Sequence, residues 1–446
     1  MEVQTSSESS TRVATPLLAS PRSRHWLRII TNFLVGQGAV QFLNIIVGFL
    51  LLRWLSVESY AQYSLAFSFQ STLQWIIELG ATHSIIALVG DKVADGQRIG
   101  AYIRSAEHLR NRLLLFVTPL AAIAFSVIAT RHRWPWMIQG LLFLSILTSL
   151  FFQGWASYYS TPFLIRQKLK DFYKPQVMGA VARLIVLYVL HSASFLTAWL
   201  CGWVLSSIVA AQGWFYRKRV KTFISIPPKS DFEKNKEILR YVLPTTPWVI
   251  FTALQGQVAL LLVSLFGNVR NIAEVAALGR LGQLFVLLGV SNSIIVAPYF
   301  ARVSRLNLVR RYAQFLSFAV GLSTLICATA FLLPRPFLWA LGSRYGNLRL
   351  EIGWAVLSAS VGYVCTLLMS IHNARKWIYW WWSVLHIVVL LLVQILCLSY
   401  IDLSSTLGAI QFSLICNVAA FMLLTAAGIY GFIFGPPNSL KEATLS

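Results

Sequence analysis

Three charged residues sit inside stretches that are otherwise apolar: Glu78 in LQWIIELGAT, Arg183 in VARLIVLYVL and Arg280 in VAALGRLGQLFVLLG. Amides accompany them at helical spacing. Gln37, Gln41 and Asn44 recur at i, i+4 and i+7, and Gln70, Gln74, Glu78 and Thr82 follow at intervals of four. Thr252 with Gln255, and Arg280 with Gln283, repeat the pattern later in the chain. On a helix each set shares one face. We read these groups as binding rather than catalytic. A guanidinium offers a planar fork that suits phosphate, so Arg280 and Arg183 would attract an anion within an amide-lined, hydrated cavity. Glu78 would modulate that site or couple it to a cation. The plainer reading is that the amides tie neighbouring helices together, at about 0.6 kcal/mol per contact, and that Glu78 pairs with an arginine of an adjacent helix.

The elements that must carry these residues follow from composition. The chain has 446 residues, 57% of them hydrophobic and only 12% charged, with a mean hydropathy of +0.67. A soluble chain carries roughly 25% charged residues, so most of this surface faces lipid. The net charge of +22 does not point to nucleic acid, because the basic residues fall in short loops between long apolar runs. Strand-like alternation is missing, which favours a helical bundle over a barrel. The five cysteines lie within apolar stretches and read as small buried hydrophobes. Nothing in the sequence points to a cofactor or a metal site. The first apolar run follows the basic flank PRSRHWLR and continues too far for a signal peptide, so it is expected to be a retained span.

Twelve segments are long enough to cross ~30 Å of hydrocarbon: 28–52, 60–90, 113–130, 135–164, 173–191, 194–216, 241–266, 271–300, 312–333, 351–372, 378–400 and 404–432. With the N-terminus inside, 28 Lys and Arg fall in cytoplasmic segments and 7 in external loops, as the positive-inside rule requires. A miscounted span would scramble that alternation. Both termini are therefore expected in the cytoplasm of a multi-pass plasma-membrane protein. The aromatic run RKWIYWWWS (375–383) begins a span where an interfacial belt belongs.

LGATHSII (79–86) and LGVSNSII (288–295) share five of eight residues, late in spans 2 and 8. KDFY (170–173) and KWIY (376–379) echo one another at nearly the same offset. Six spans per repeat give parallel repeats about an axis normal to the membrane, an arrangement that builds a site between two rocking bundles. The expected fold is an all-α polytopic membrane protein: two parallel six-helix lobes around a central cavity. The lobes are 26–216 and 241–432, joined by a basic cytoplasmic linker at 217–240 and flanked by a disordered tail at 1–25 and a short one at 433–446.

Twelve spans in two halves, the R-x-L-S-x-E-x-Y turn (53–60), ELGAT (78–82), Pro244 at the start of span 7 and APYFARVSR (297–305) resemble bacterial polysaccharide-export flippases. These belong to the multidrug/oligosaccharidyl-lipid/polysaccharide exporter superfamily. The resemblance covers about 26–432 and departs from the family turn at Ala61, where glycine is usual. It implies movement of a polyprenyl-diphosphate-linked oligosaccharide from the cytoplasmic to the outer leaflet, with membrane lipid and other polysaccharide-assembly proteins as partners. The alternatives are a drug/cation antiporter of the same superfamily, although span 1 lacks the acidic residues those use, and a membrane-embedded polymerase or ligase. The latter would need a long external loop, and the longest here is 334–350. A non-catalytic scaffold does not account for the intramembrane charges.

Overall fold

The computed structural model describes residues 21–89, 95–166, 168–377 and 379–434. The expected tails lie almost wholly outside them. No strand occurs among the described residues. The first half runs through α1 (Pro21–Trp54), α2 (Val57–Glu78), α3 (Ala81–Val89), α4 (Gly96–Arg131), α5 (Trp136–Ile165), α6 (Leu169–Ser192) and α7 (Ala198–Val220). A short linker helix, α8 (Phe232–Val242), leads to the second half. That half comprises α9 (Thr246–Gln255), α10 (Val258–Phe266), α11 (Val269–Leu281), α12 (Gln283–Ser291), α13 (Ala297–Arg302), α14 (Arg305–Leu332), α15 (Pro334–Leu341), α16 (Arg349–Arg375), α17 (Trp380–Tyr400) and α18 (Thr406–Phe434).

Among the described residues, nine helices are long and apolar enough to cross a membrane, and α9 with α10, bent by 54°, is a tenth if the pair is one broken span. The other two expected spans are covered by interrupted helices. Span 2 is α2 plus α3, broken where Leu79 and Gly80 take left-handed φ values of 44° and 77°. Glycine adopts that conformation without strain and here it stops the helix. Span 8 is α11 to α13, interrupted at Gly282 and by a π-helical turn over Asn292–Val296. Both octapeptides thus touch an irregular stretch: the first opens on the break, and the second runs into the π turn.

Helix packing recurs between the halves: α5 lies along α7, and α16 lies along α18, the fourth and sixth spans of each half. Small residues allow the close approach. A Cβ on Gly213 of α7 would fall 2.9 Å from the Phe152 carbonyl of α5. Trp377 departs from the interfacial-belt expectation. It is buried, with its ring against Phe432, and a Cβ on Gly431 would meet that ring at 2.3 Å. Trp380 remains 75% exposed, as a belt residue should be.

The linker docks onto α4. Arg104 donates two hydrogen bonds to the Pro228 carbonyl at 3.0 and 3.2 Å, and the Tyr102 hydroxyl donates to Glu237. Lys234 lies 2.8 Å from the same carboxylate. The Lys234 hydrogen bond, followed by that of Tyr102, holds the Glu237 carboxyl below its ordinary range. Gly100 permits this seat, because a Cβ there would stand 1.9 Å from the Ser225 carbonyl. Gly100→Val is expected to lift the linker and destabilise the protein by about 1–3 kcal/mol. A lowered Tm and faster proteolysis within 221–231 would show it; an unchanged Tm would contradict it.

The halves meet along α2, which packs on α9, α10 and α11. At the end of the molecule carrying the α1–α2 turn, two arginines cross in opposite directions. Arg53 of the first half donates to the carbonyls of Ala340 (3.3 Å) and Trp339, with its guanidinium 4.6 Å from the Trp339 ring centroid. Arg344 of the second half donates back to the Leu55 carbonyl. Tyr60 and Tyr345 meet edge-on, and His132 lies 2.7 Å from the Ser264 carbonyl. These contacts bridge the two halves at this end.

Candidate functional site

Two cavities each hold one of the intramembrane arginines. The larger, about 430 Å³, lies mostly in the second half and is closed by α2. Arg280, Gln283, Gln255, Gln257, Ser68 and Asn417 contribute its polar lining. It exists because span 7 breaks here: α9 ends at Gln255 and α10 begins at Val258, leaving Gly256 and Gln257 outside regular helix. Ser68 donates to the Gln257 side chain at 2.7 Å, joining the break to α2. The second cavity, about 340 Å³, lies within the first half between α1, α5, α6 and α7 and contains Arg183 and Asn44.

Two tyrosines of α2 connect them. Arg280 Nε donates to the Tyr60 hydroxyl at 3.2 Å, and its guanidinium stands 5.7 Å from the Phe67 centroid. Arg183 donates to the Tyr63 hydroxyl at 2.7 Å, and Tyr63 also interacts electrostatically with Arg280. Tyr60 and Tyr63 are themselves buried. The two cations, far apart in sequence and on opposite halves, are therefore held on one helical face three residues wide. Neutral phenol oxygens satisfy part of each guanidinium without cancelling its charge. Neither cavity is lined by an aspartate or glutamate among the described residues. On α1, Gly48 makes room for the site: a Cβ there would lie 3.3 Å from both Arg280 and the Gln283 amide oxygen. That oxygen is buried with no hydrogen-bond partner in the protein, leaving it an acceptor for water or ligand.

The remaining sequence candidates divide. Gln255 lines the larger cavity but is bonded to Gln394 of α17. Gln70 donates to Ser149 at 2.8 Å, a tie between α2 and α5 inside the first half. Gln37, Gln41 and Gln74 are partly buried and line neither cavity. Glu78 ends α2 away from both, accepts from Thr82 at 2.5 Å and interacts electrostatically with Arg110 of α4. No cluster of potential metal ligands occurs among the described residues.

Sequence reasoning passed over Tyr60, Tyr63, Gln257 and Asn417. The tyrosines stand in an apolar-aromatic run, YAQYSLAFSF, where nothing distinguishes a phenol aimed at an arginine from one packed in a core. The signal for Gln257 was present: Q-G-Q inside a span leaves backbone groups for a polar neighbour to satisfy.

The sequence matches no family model, and no curated protein matches it. Solved structures do. The eukaryotic MATE transporter AtDTX14 is 12% identical with a TM-score of 0.61, the alignment covering 92% of this chain and 96% of that one. The lipid II flippase MurJ, in an inward closed conformation, is 14% identical with a TM-score of 0.61, covering 90% and 89%. A MOP superfamily transporter from Pyrococcus furiosus with a binding pocket of reversed polarity is 12% identical with a TM-score of 0.59, covering 91% and 94%. At such identities the likeness is one of fold: this chain is a multi-pass helical membrane protein with the fold shared by MATE transporters and MurJ.

Proposed function

We propose that the protein is a flippase for a polyprenyl-diphosphate-linked oligosaccharide, moving it from the cytoplasmic to the outer leaflet of the plasma membrane by alternating access. The observation that carries this reading is the pair of arginines, one from each half, held by Tyr60 and Tyr63 without an acidic partner. A buried cation of this kind is costly unless it meets water or an anion, and a lipid diphosphate supplies the anion. The fold is one on which a lipid II flippase is known. It is also a fold of MATE transporters. That likeness favours a second reading, export of a cationic drug, but a cavity lined by arginine and amides repels such cargo.

Reconstituted liposomes separate the two. The protein is expected to move a fluorescent polyprenyl-diphosphate saccharide between leaflets and to leave ethidium gradients unchanged. Ethidium export without lipid movement would refute the flippase reading. Orientation is a separate test. With 28 basic residues assigned inside against 7 outside, Asn347→Cys should react with an impermeant maleimide on intact cells and Ser230→Cys should not. Labelling of Ser230→Cys from outside would invert the topology.

A further inference from the structure

We infer that the first-half cavity is a saccharide site, distinct from the Arg280 site that would hold the diphosphate; this rests on the proposed flippase function. The cavity occupies the end of that half nearer the linker. Besides Asn44 and Arg183 it brings together Gln153 of α5, Gln176 of α6 and Gln212 of α7. Four amides in one cavity of a lipid-facing bundle call for an explanation. Helix ties explain part of it: Gln176 donates to the Phe172 carbonyl and Gln212 to the Pro175 carbonyl, both at 3.3 Å. Each keeps further donor or acceptor capacity, since an amide offers two donors and two acceptor sites. Asn44 and Gln153 make no hydrogen bond to any described residue. Arg183 uses one nitrogen on Tyr63, while its Nε is buried with no partner.

Unmet polar capacity of mixed donor and acceptor character, with Arg183 as the cation and no carboxylate, is suited to a ligand rich in hydroxyls, with Arg183 turned toward the diphosphate side. Vicinal sugar hydroxyls each donate and accept, which matches amides, whereas a phosphate only accepts. The backbone of α6 is also shaped around one of these amides. A Cβ on Gly179 would lie 2.2 Å from the Gln212 amide nitrogen, so glycine lets that side chain lie across α6. A lipid-linked sugar has one charged and one hydroxylated polar part. The structure has two cavities, one dominated by amides, and their arginines meet at Tyr63.

The test uses the purified full chain in detergent, with free neutral disaccharides (lactose, cellobiose, diacetylchitobiose) and inorganic pyrophosphate as separate probes. Binding is read by thermal stabilisation and by titration. Asn44→Leu and Gln153→Leu are the informative variants, because neither side chain is bonded within the fold. Each is expected to weaken disaccharide binding about fivefold, the loss of one neutral hydrogen bond, with pyrophosphate binding unchanged. Arg280→Ala should do the reverse. Disaccharide binding that survives the double variant, or that is lost in Arg280→Ala instead, overturns the assignment. Pyrophosphate binding with no disaccharide bound also overturns it, leaving the flippase reading intact. Disaccharide binding without pyrophosphate binding refutes the diphosphate reading and keeps the sugar site.

Discussion

Arg280→Glu is expected to abolish export, Arg280→Ala to reduce it at least tenfold, and Arg280→Lys to leave a measurable fraction. The guanidinium lies on the wall of the larger cavity and is anchored by Tyr60. Each charge-assisted hydrogen bond to a phosphate oxygen contributes about 1.5–3 kcal/mol, so losing even one costs roughly tenfold or more. Lysine restores the charge without the bidentate geometry. Glutamate adds repulsion toward the cargo and would also attract the Arg183 guanidinium, which is held on the same tyrosine pair. Tyr60→Phe, which removes the anchor and keeps the charge, should produce a smaller defect than alanine at 280. The measurement is lipid-linked saccharide transport in liposomes at matched protein abundance. Normal transport by Arg280→Glu would make Arg280 a structural residue.

The second large effect is conformational. Arg53→Ala combined with Arg344→Ala should part the two halves at the end that these arginines bridge. Three guanidinium-to-carbonyl hydrogen bonds and the stacking of Arg53 on Trp339 are lost together. At about 1.5–3 kcal/mol for a charged hydrogen bond, and less for those of the exposed Arg53, the balance between the two access states should shift by roughly a hundredfold or more. A cysteine placed at Ala276, beside the Tyr60 hydroxyl and on the larger cavity's wall, reports the change. In the parent protein with its native cysteines replaced, an impermeant maleimide applied outside should react slowly. In the double variant it should react at least tenfold faster. Equal rates in the two proteins would mean that the arginines do not hold the halves together there.

Much of the architecture was legible because lipid enforces a simple grammar. Apolar runs of fixed length and basic loops on one side leave little freedom, and the twelve expected segments each coincide with helix in the structure. Interruptions were harder. Pro244 marked a real irregularity, a 3-10 turn over Leu243–Thr245, but the larger bend falls at Gly256, where only a glycine between two glutamines signals it. The arginines could be found as charges out of place. Their partners could not, because the pairing of Arg183 with Tyr63 spans 120 residues and that of Arg280 with Tyr60 spans 220. The amide stripes misled for a similar reason. Spacing reports which residues share a helix face, not which neighbour that face meets. Gln70 met Ser149, while Gln153, Gln176 and Gln212 reached a common cavity from three separate helices.

The acceptors of the two crossing arginines are all main-chain carbonyls: those of Trp339, Ala340 and Leu55. A carbonyl is supplied by every residue, so the contact constrains the path of the 339–346 segment far more than its side chains. Mutational drift there should be tolerated at Ala340 and felt only modestly at Trp339, whose ring adds the stacking. Insertions or deletions should not be tolerated, since they displace the carbonyls themselves. The tolerance is lopsided: the two arginines, the loop length, left-handed Gly342 and the buried Leu341 and Tyr345 are fixed, and the exposed positions among them are freer to vary.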